Sequence, residues 1–180
     1  MRTNYDSALR VTSLNRRFVS NLRRNEYCRV FEVNAFLARL RWATPLRIAR
    51  ILLADDHRRL TEMEERFLST EFEVVGKVGD GQALFDEALR LKPDVIVTDI
   101  SMPILNGIEA AERLRDSGCK SRIVFLTIHS DAEFVRRCLS AGAFGYVAKP
   151  RMASELIPAI REALDGRIFV SRHVAAKQDM

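Results

Sequence analysis

From residue 47 onward, the chain alternates between two kinds of apolar pattern. Short apolar runs rich in β-branched residues predict buried strands, and longer segments with apolar residues every three or four positions predict helices. Gly118, Gly142 and Gly166 stand at or just beyond the ends of three helical segments, where stop signals are expected. The predicted strands are 48–54, 74–78, 94–99, 123–126 and 144–148, and the predicted helices are 58–68, 82–91, 107–115, 131–141 and 153–164.

Strict alternation of five strands and five helices predicts an α/β domain with a parallel sheet and helices on both faces. The strands are apolar throughout, which is typical of a sheet that is buried on both faces. Right-handed crossovers and the number of elements favour the flavodoxin-like doubly wound order 2-1-3-4-5. In such a sheet the reactive site lies beyond the carboxyl ends of the strands, at the switch between strands 1 and 3.

Polar side chains stand at four of these strand ends. Asp55 and Asp56 follow the first strand, Asp99 ends the third, Thr127 follows the fourth, and Lys149 follows the fifth. Each of them alone would be interpreted as a helix cap or a solvated loop residue. Together, at one edge of one sheet, they predict a functional site. Converging carboxylates repel one another, and a hard divalent cation with oxygen ligands, Mg²⁺ or Mn²⁺, removes that conflict.

The same set of groups fits phosphoryl transfer. A carboxylate can act as the nucleophile and form an aspartyl phosphate. A metal ion and the ammonium of Lys149 would stabilise the charge on the phosphoryl oxygens, and the hydroxyl of Thr127 could follow a newly arrived oxygen. The residue pattern therefore predicts a phosphoryl-transfer site before any family is considered.

Four segments carry these residues: LLADDH, VVGKVGDGQALFDEALRLKPDVIVTDISMPILNGIEA, IVFLTIHSD and LSAGAFGYVAKP. Together they strongly resemble the receiver domain of bacterial two-component response regulators, over roughly residues 47–168. The resemblance implies that Asp99 is the phosphoacceptor. It also implies that Mg²⁺ is bound by Asp55, Asp56, Asp99 and the backbone carbonyl of Ser101.

The resemblance further assigns the residues that respond to phosphorylation. Thr127 would move to the phosphoryl group, the ring of Tyr146 would turn inward, and Lys149 would contact the phosphoryl oxygens. It implies a cis peptide bond between Lys149 and Pro150, a geometry that proline makes accessible. His129 falls where the family tunes its dephosphorylation rate, although an exposed loop histidine is an equal alternative.

The implied function is a switch that accepts a phosphoryl group from a sensor histidine kinase or a phosphotransfer protein. Phosphorylation would then change a protein-interaction face made by helix 4, strand 5 and helix 5, through which a homodimer could form. Such a protein catalyses its own phosphorylation and dephosphorylation and is not an enzyme acting on external substrates. The motifs GDGQAL, LTIHSD, GYVAKP and GRIFVS are most similar to receivers of the NarL/FixJ type.

Receivers of that type usually continue into a helix-turn-helix domain. The 14 residues after Gly166 are too few for one, so no direct DNA binding is expected from this chain. They resemble the start of a linker, and the chain is either a stand-alone receiver or a regulator without its output half.

Two other functions stay open on sequence grounds. An aspartyl-phosphate phosphatase would also need Asp, Mg²⁺, Thr and Lys at strand ends. Such enzymes usually carry a second Asp two residues after the nucleophile, where this chain has Ser101. A protein-binding module that works without phosphorylation is the other alternative, and the intact set of site residues argues against it.

The net charge of +5 comes from the N-terminal part of the chain, because residues 1–50 hold eleven Arg and three acidic residues. The basic balance therefore does not argue for nucleic-acid binding by the folded domain. Residues 1–46 are expected to form a poorly ordered extension; the alternatives are an amphipathic helix on a membrane or partner and a transit-like segment. Residues 169–180 are expected to form a tail. Three cysteines without metal-type spacing and the lack of a long apolar run predict a cytoplasmic protein.

Overall fold

A parallel six-stranded sheet forms the centre of the fold in the computed structural model, which describes residues 47–171. The expectations for residues 1–46 and for the tail beyond residue 171 lie outside the described residues. The strands are β1 Arg50–Ala54, β2 Glu73–Val78, β3 Val95–Thr98, β4 Arg122–Thr127, β5 Gly145–Ala148 and β6 Phe169–Val170. The helices are α1 Arg58–Leu68, α2 Gly81–Leu91, α3 Gly107–Asp116, α4 Ala132–Ser140 and α5 Met152–Leu164.

The strand order is β2-β1-β3-β4-β5-β6, which confirms the predicted 2-1-3-4-5 arrangement. β1 pairs with β2 on one side and with β3 on the other. The sheet therefore grows in one direction from β1 and in the opposite direction from β3, and the switch point lies between these two parallel strands. The carboxyl ends of these two strands, at Ala54 and Thr98, are paired with each other. The residues that follow them in sequence are Asp55 and Asp99, and the fold therefore brings the predicted acidic residues to the same edge.

A sixth strand extends the sheet beyond the five that the sequence predicted. β6 runs parallel to β5, with Phe169 opposite Gly145 and Val170 opposite Tyr146. The prediction placed these two residues in the C-terminal tail. A strand of two residues is too short to produce a recognisable periodicity, and its pairing satisfies backbone groups of β5 that would otherwise form an open edge.

Successive residues of the central strands point to opposite faces of the sheet and build two separate apolar cores. Leu52 belongs to the core under α2, α3 and α4, whereas Ile51 and Leu53 belong to the core under α1 and α5. β1, β3, β4 and β5 are almost entirely buried, as expected of strands covered on both faces.

Helix starts follow the local sequence. The side chain of Asp80 accepts a hydrogen bond from the backbone of Ala83 and caps α2, and Asn106 caps α3 through the backbone of Glu109. His57 occupies the cap position of α1, which confirms its predicted place at the start of that helix. Within the described part of the chain, no helix has the length and apolar character needed to cross a bilayer.

The predicted cis bond between Lys149 and Pro150 is wrong, because the described residues contain no cis peptide bond. The chain instead enters a 3₁₀ turn, Lys149–Arg151, directly after β5. Proline fits the first turn of a helix because its missing N–H has no partner to lose there. The ordinary trans preference of the bond therefore agrees with the local structure.

Candidate functional site

Lys149 links two buried carboxylates at the carboxyl edge of the sheet. Its Nζ donates hydrogen bonds to Oδ2 of Asp55, at 2.6 Å, and to Oδ2 of Asp99, at 2.7 Å. The two carboxylate side chains are only 2% and 5% exposed. Burial works against the charge of Lys149, but these hydrogen bonds and the two negative charges together raise its pKa above the ordinary value. The site thus keeps a charged ammonium between two acids.

The backbone fixes Asp99 from two directions. Its N–H donates to the carbonyl of Ala54 at 2.8 Å, and its Oδ1 accepts from the N–H of Ile100 at 2.6 Å. Gly107, at the start of α3, lies against the other side of this backbone: a Cβ there would be 2.0 Å from the carbonyl oxygen of Asp99. Only glycine allows α3 to begin so close to the predicted phosphoacceptor.

Asp56 lies on the more exposed side of the site, together with His57. Nδ1 of His57 is 2.7 Å from Oδ1 of Asp56 and 3.4 Å from Oδ1 of Asp55. Among the described residues, these three side chains bring one ligand atom each to within 4.8 Å of one another. Two members of the predicted metal set are therefore adjacent. Asp99 is not in this group and is connected to Asp55 through Lys149.

The donor set fits a hard divalent cation. Asp55 and Asp99 contact one ammonium and Asp56 lies beside Asp55, so that three carboxylates stand against one formal positive charge. Carboxylate oxygens are the ligands that Mg²⁺ prefers. A cavity of about 310 Å³ opens beside Asp55 and Asp56 and is lined by these two residues and Gly79 among others.

Thr127 and Tyr146 are both fully buried, and both are bonded to the loop that follows β4. The hydroxyl oxygen of Thr127 accepts a hydrogen bond from the backbone N–H of His129 at 3.3 Å, and the hydroxyl of Tyr146 donates to the carbonyl of His129 at 3.0 Å. The predicted switch pair therefore shares one residue of this loop as a partner. Burial raises the pKa of Tyr146 well above its ordinary value, which keeps the hydroxyl protonated as a donor.

The side chain of His129 connects this loop to the loop after β3. Its Nε2 is 2.9 Å from Oγ of Ser101, and its ring stacks on Phe134 of α4 with 4.2 Å between the ring centroids. Sequence reasoning assigned Ser101 only through its backbone carbonyl and treated His129 as either a tuning residue or a loop histidine. It missed the contact between the two side chains, because no spacing rule relates positions 101 and 129.

Glu64 is a further residue that the sequence did not single out. Its residue exposure is 2%, and its Oε1 has no hydrogen-bond partner among the described residues. Burial, with the nearby negative charge of Asp55, raises its pKa from 4.5 to about 7, although Lys149 acts in the opposite direction. The sequence contained a sign of this burial. Positions 61, 64 and 68 share the buried side of α1, where helical spacing predicts apolar residues, and Glu64 is a charged residue among them.

Comparison with known proteins agrees with this geometry. Residues 51–161, more than half of the chain, match the family model described as response regulator receiver domain. The chain belongs to the response regulator receiver family. It is similar to the transcriptional regulatory protein DesR of Bacillus subtilis, with 39% identity over 119 residues, which are 65% of this chain and 59% of DesR. It is also 38% identical to the uncharacterized transcriptional regulatory protein YxjL of the same organism over 130 residues, or 71% of this chain and 60% of YxjL.

Solved receiver structures have the same fold. The signal receiver domain of a NarL response regulator from Mycobacterium tuberculosis aligns with a TM-score of 0.64 and 29% identity, over 67% of this chain and 98% of that one. A LuxR-family response regulator from Aurantimonas aligns with a TM-score of 0.69 and 31% identity, over 74% and 99% respectively. The match spans about 60% of the length of the curated relatives. The described residues are thus a receiver domain of the two-component type.

Proposed function

We propose that this receiver accepts a phosphoryl group on Asp99 from the phosphohistidine of a sensor histidine kinase or a phosphotransfer protein. An oxygen of the Asp99 carboxylate forms a bond to phosphorus while the phosphorus–nitrogen bond of the donor breaks, and the electron pair stays on the leaving imidazole nitrogen. The observation that carries this proposal is the buried bridge from Lys149 to Asp55 and Asp99. It holds the nucleophile beside a positive charge that can accompany the transferred oxygens.

The residues that would hold Mg²⁺ are Asp55, Asp56, Asp99 and the backbone carbonyl of Ser101. When bound, the cation supplies positive charge that offsets the charge developing on the phosphoryl oxygens. The acidic group beside the open cavity supports this role. Lys149 then exchanges one of its carboxylate contacts for a phosphoryl oxygen, which requires a short movement of one ammonium and leaves its charge compensated.

Thr127 and Tyr146 transmit the change. If the hydroxyl of Thr127 turns toward a phosphoryl oxygen, it gives up the hydrogen bond that it now accepts from the backbone of His129. The hydroxyl of Tyr146 donates to the carbonyl of His129. A shift of His129 therefore also changes the contact with Tyr146, and the loop before α4 rearranges. The face made by α4, β5 and α5 then shifts between two pre-existing arrangements, and partner proteins or a second copy of the chain recognise one of them.

The wider setting is also a proposal. The receiver would work in the cytoplasm, where histidine kinases present their phosphohistidine, with its domain at residues 47–168 and the Arg-rich extension before it. The curated relatives are named as transcriptional regulators. We expect the described part of this chain to act through protein contacts at the α4-β5-α5 face and not through direct DNA binding.

The test is the intact mass of the full chain after incubation with acetyl phosphate, with and without Mg²⁺. We expect a Mg²⁺-dependent gain of one phosphoryl group in the wild type and no gain in Asp99→Ala. Asp116→Ala, which removes an exposed carboxylate paired with Arg115, is the matched control and should gain the group normally. Absence of a gain in the wild type would contradict the proposal and favour a protein-binding module that works without phosphorylation.

A further inference from the structure

An ionisable side chain occupies the middle of the buried side of α1. Thr61, Glu64 and Leu68 are the buried residues of this helix. The hydroxyl of Thr61 is directed to the carbonyls of His57, at 3.2 Å, and Asp55, at 3.4 Å, whereas Leu68 packs in the apolar core. Glu64 lies between them, 2% exposed, with Oε1 unbonded within the described residues. An ionised carboxylate is costly in such a place unless a partner compensates its charge.

The charged groups that shift the pKa of Glu64 belong to the proposed phosphorylation site. They are Asp55 at the end of β1, Asp99 at the end of β3 and Lys149 at the end of β5. Lys77 of β2 is paired with Glu65, the neighbouring residue of α1, and not with Glu64. α5 contributes apolar Leu156 and Ile160 to the core that contains Leu68, and the carboxylate of its first turn, Glu155, accepts a hydrogen bond from Ser171.

The carboxyl of Glu64 therefore exchanges its proton near neutrality, and the charges of the site affect its pKa. Burial and the charge of Asp55 raise the pKa of Glu64 to about 7, close to the pH of most cells. Lys149 is the group that favours the ionised form, and it is also the group that would be drawn to a phosphoryl oxygen. A change of charge at Asp99 thus reaches Glu64 both directly and through Lys149.

We propose that Glu64 is a proton-binding site coupled to the phosphorylation site, taking up a proton when a phosphoryl group arrives at Asp99. The proposal rests on the phosphoacceptor function proposed above. Replacing a carboxylate by an acyl phosphate adds negative charge, which disfavours the ionised form of Glu64. Because coupling between two binding equilibria is reciprocal, protonation of Glu64 favours the phosphorylated state by the same factor. Low pH would therefore stabilise the phosphorylated form, and a pH above neutrality would oppose it.

The size of the coupling follows from Coulomb's law. For an illustrative separation of about 10 Å and an effective dielectric of about 20, one added charge shifts a titration midpoint by about one pH unit. By reciprocity, the affinity of the site for a phosphoryl analogue should fall up to about tenfold as Glu64 ionises, between about pH 6 and 8. Glutamine at position 64 keeps the size of the side chain and removes its proton equilibrium.

The decisive measurement is the titration of the Glu64 carboxyl carbon by ¹³C NMR in the full chain. Spectra at saturating Mg²⁺ are compared with and without beryllium fluoride as the phosphoryl analogue, and Glu64→Gln assigns the resonance. We expect the midpoint to rise by about one pH unit on addition of beryllium fluoride. An unchanged midpoint, or one that stays near the ordinary value of glutamate in both states, would overturn the proposal.

The reciprocal experiment measures beryllium fluoride affinity against pH in the wild type, Glu64→Gln and the control Glu65→Gln. The wild type and the control should share the decline above pH 6, and Glu64→Gln should lack it. A decline that persists in Glu64→Gln counts against the coupling. If that variant does not fold, the carboxyl titration of the wild type still tests the coupling.

Acetyl phosphate treatment of the same sample separates the proposed function from the proposed coupling. If the protein gains no phosphoryl group, the proposed function is refuted. If it gains the group but the titration midpoint of Glu64 does not move, only the coupling is refuted.

Discussion

Substitution of Glu64 by glutamine should change how the stability of the protein depends on pH, whether or not the protein is phosphorylated. Glu64 is buried, and its pKa is raised from 4.5 to about 7, with burial as the largest cause. The folded protein therefore holds this proton more tightly than the unfolded chain does. Glutamine cannot ionise, so the variant keeps the packing of a neutral side chain at every pH.

The magnitude follows from linkage between protonation and folding. Between about pH 4.5 and 7 the folded state binds more protons than the unfolded state, so the free energy of unfolding decreases as the pH rises. The shift from 4.5 to about 7 corresponds to about 3 kcal/mol at 1.36 kcal/mol per pH unit. The contribution is fully present below about pH 4.5, and it is lost by about pH 8.

Urea unfolding of the full chain, followed by circular dichroism from pH 4.5 to 8.5, measures this effect. The free energy of unfolding of wild type minus that of Glu64→Gln should fall by about 3 kcal/mol over this range and then level off. Glu65→Gln is the matched control, since that carboxylate is partly exposed and pairs with Lys77. A difference that stays flat with pH would refute the reasoning, because it would mean that Glu64 ionises in the folded protein as readily as in the unfolded chain.

Three further substitutions test other parts of the structure. In the presence of a chelator, Lys149→Met should destabilise the protein by about 3–5 kcal/mol, because it leaves two buried carboxylates without their counter-charge. Mg²⁺ should then raise the melting temperature of this variant more than that of the wild type, and equal increases would contradict the expectation. Gly107→Ala should lower the free energy of unfolding in urea by about 1–3 kcal/mol, since its Cβ would lie 2.0 Å from the carbonyl oxygen of the proposed phosphoacceptor. Gly79→Ala is the control, because the nearest contact of its Cβ would be at 3.9 Å, and it should change stability little. Ile104→Asn should raise the melting temperature, with a gain of about 1 kcal/mol, because Ile104 has a φ of 67° and an exposed side chain. Ile128 is also exposed but has no positive φ, so Ile128→Asn should bring no such gain.

The order of the sheet and the acidic edge could be predicted because both follow from rules that act along the sequence. Parallel strands separated by helices must cross over, and their carboxyl ends must meet at one edge. The positions of Asp55 and Asp99 directly after apolar runs were therefore sufficient to bring them together. Lys149 follows β5 by the same rule, and the bridge that it forms is the side-chain consequence of that placement.

The parts that were missed depend on side-chain contacts or on elements too short to show a period. β6 has two residues, and pairing with β5 alone defines it. The contact between Ser101 and His129 joins loops separated by 28 positions, and it needs a particular direction for each side chain. The cis bond was carried over from a family resemblance, and no property of this sequence beyond the proline itself argued for it.

The burial of Glu64 could have been predicted from helical spacing, but the general rule for charged residues of a helix assigns it to the exposed side. Helical spacing identified 58–68 as a helix, and an acid among many charged residues of such a helix is normally assigned to the exposed side. Its actual position follows from the neighbours that share its stripe, Thr61 and Leu68, which are both buried. Two carboxylates at the end of the sheet already share the ammonium of Lys149. Glu64 is a third acid near the same ammonium, and its Oε1 has no hydrogen-bond partner among the described residues, so burial raises its pKa to about 7 instead of leaving it at the ordinary value.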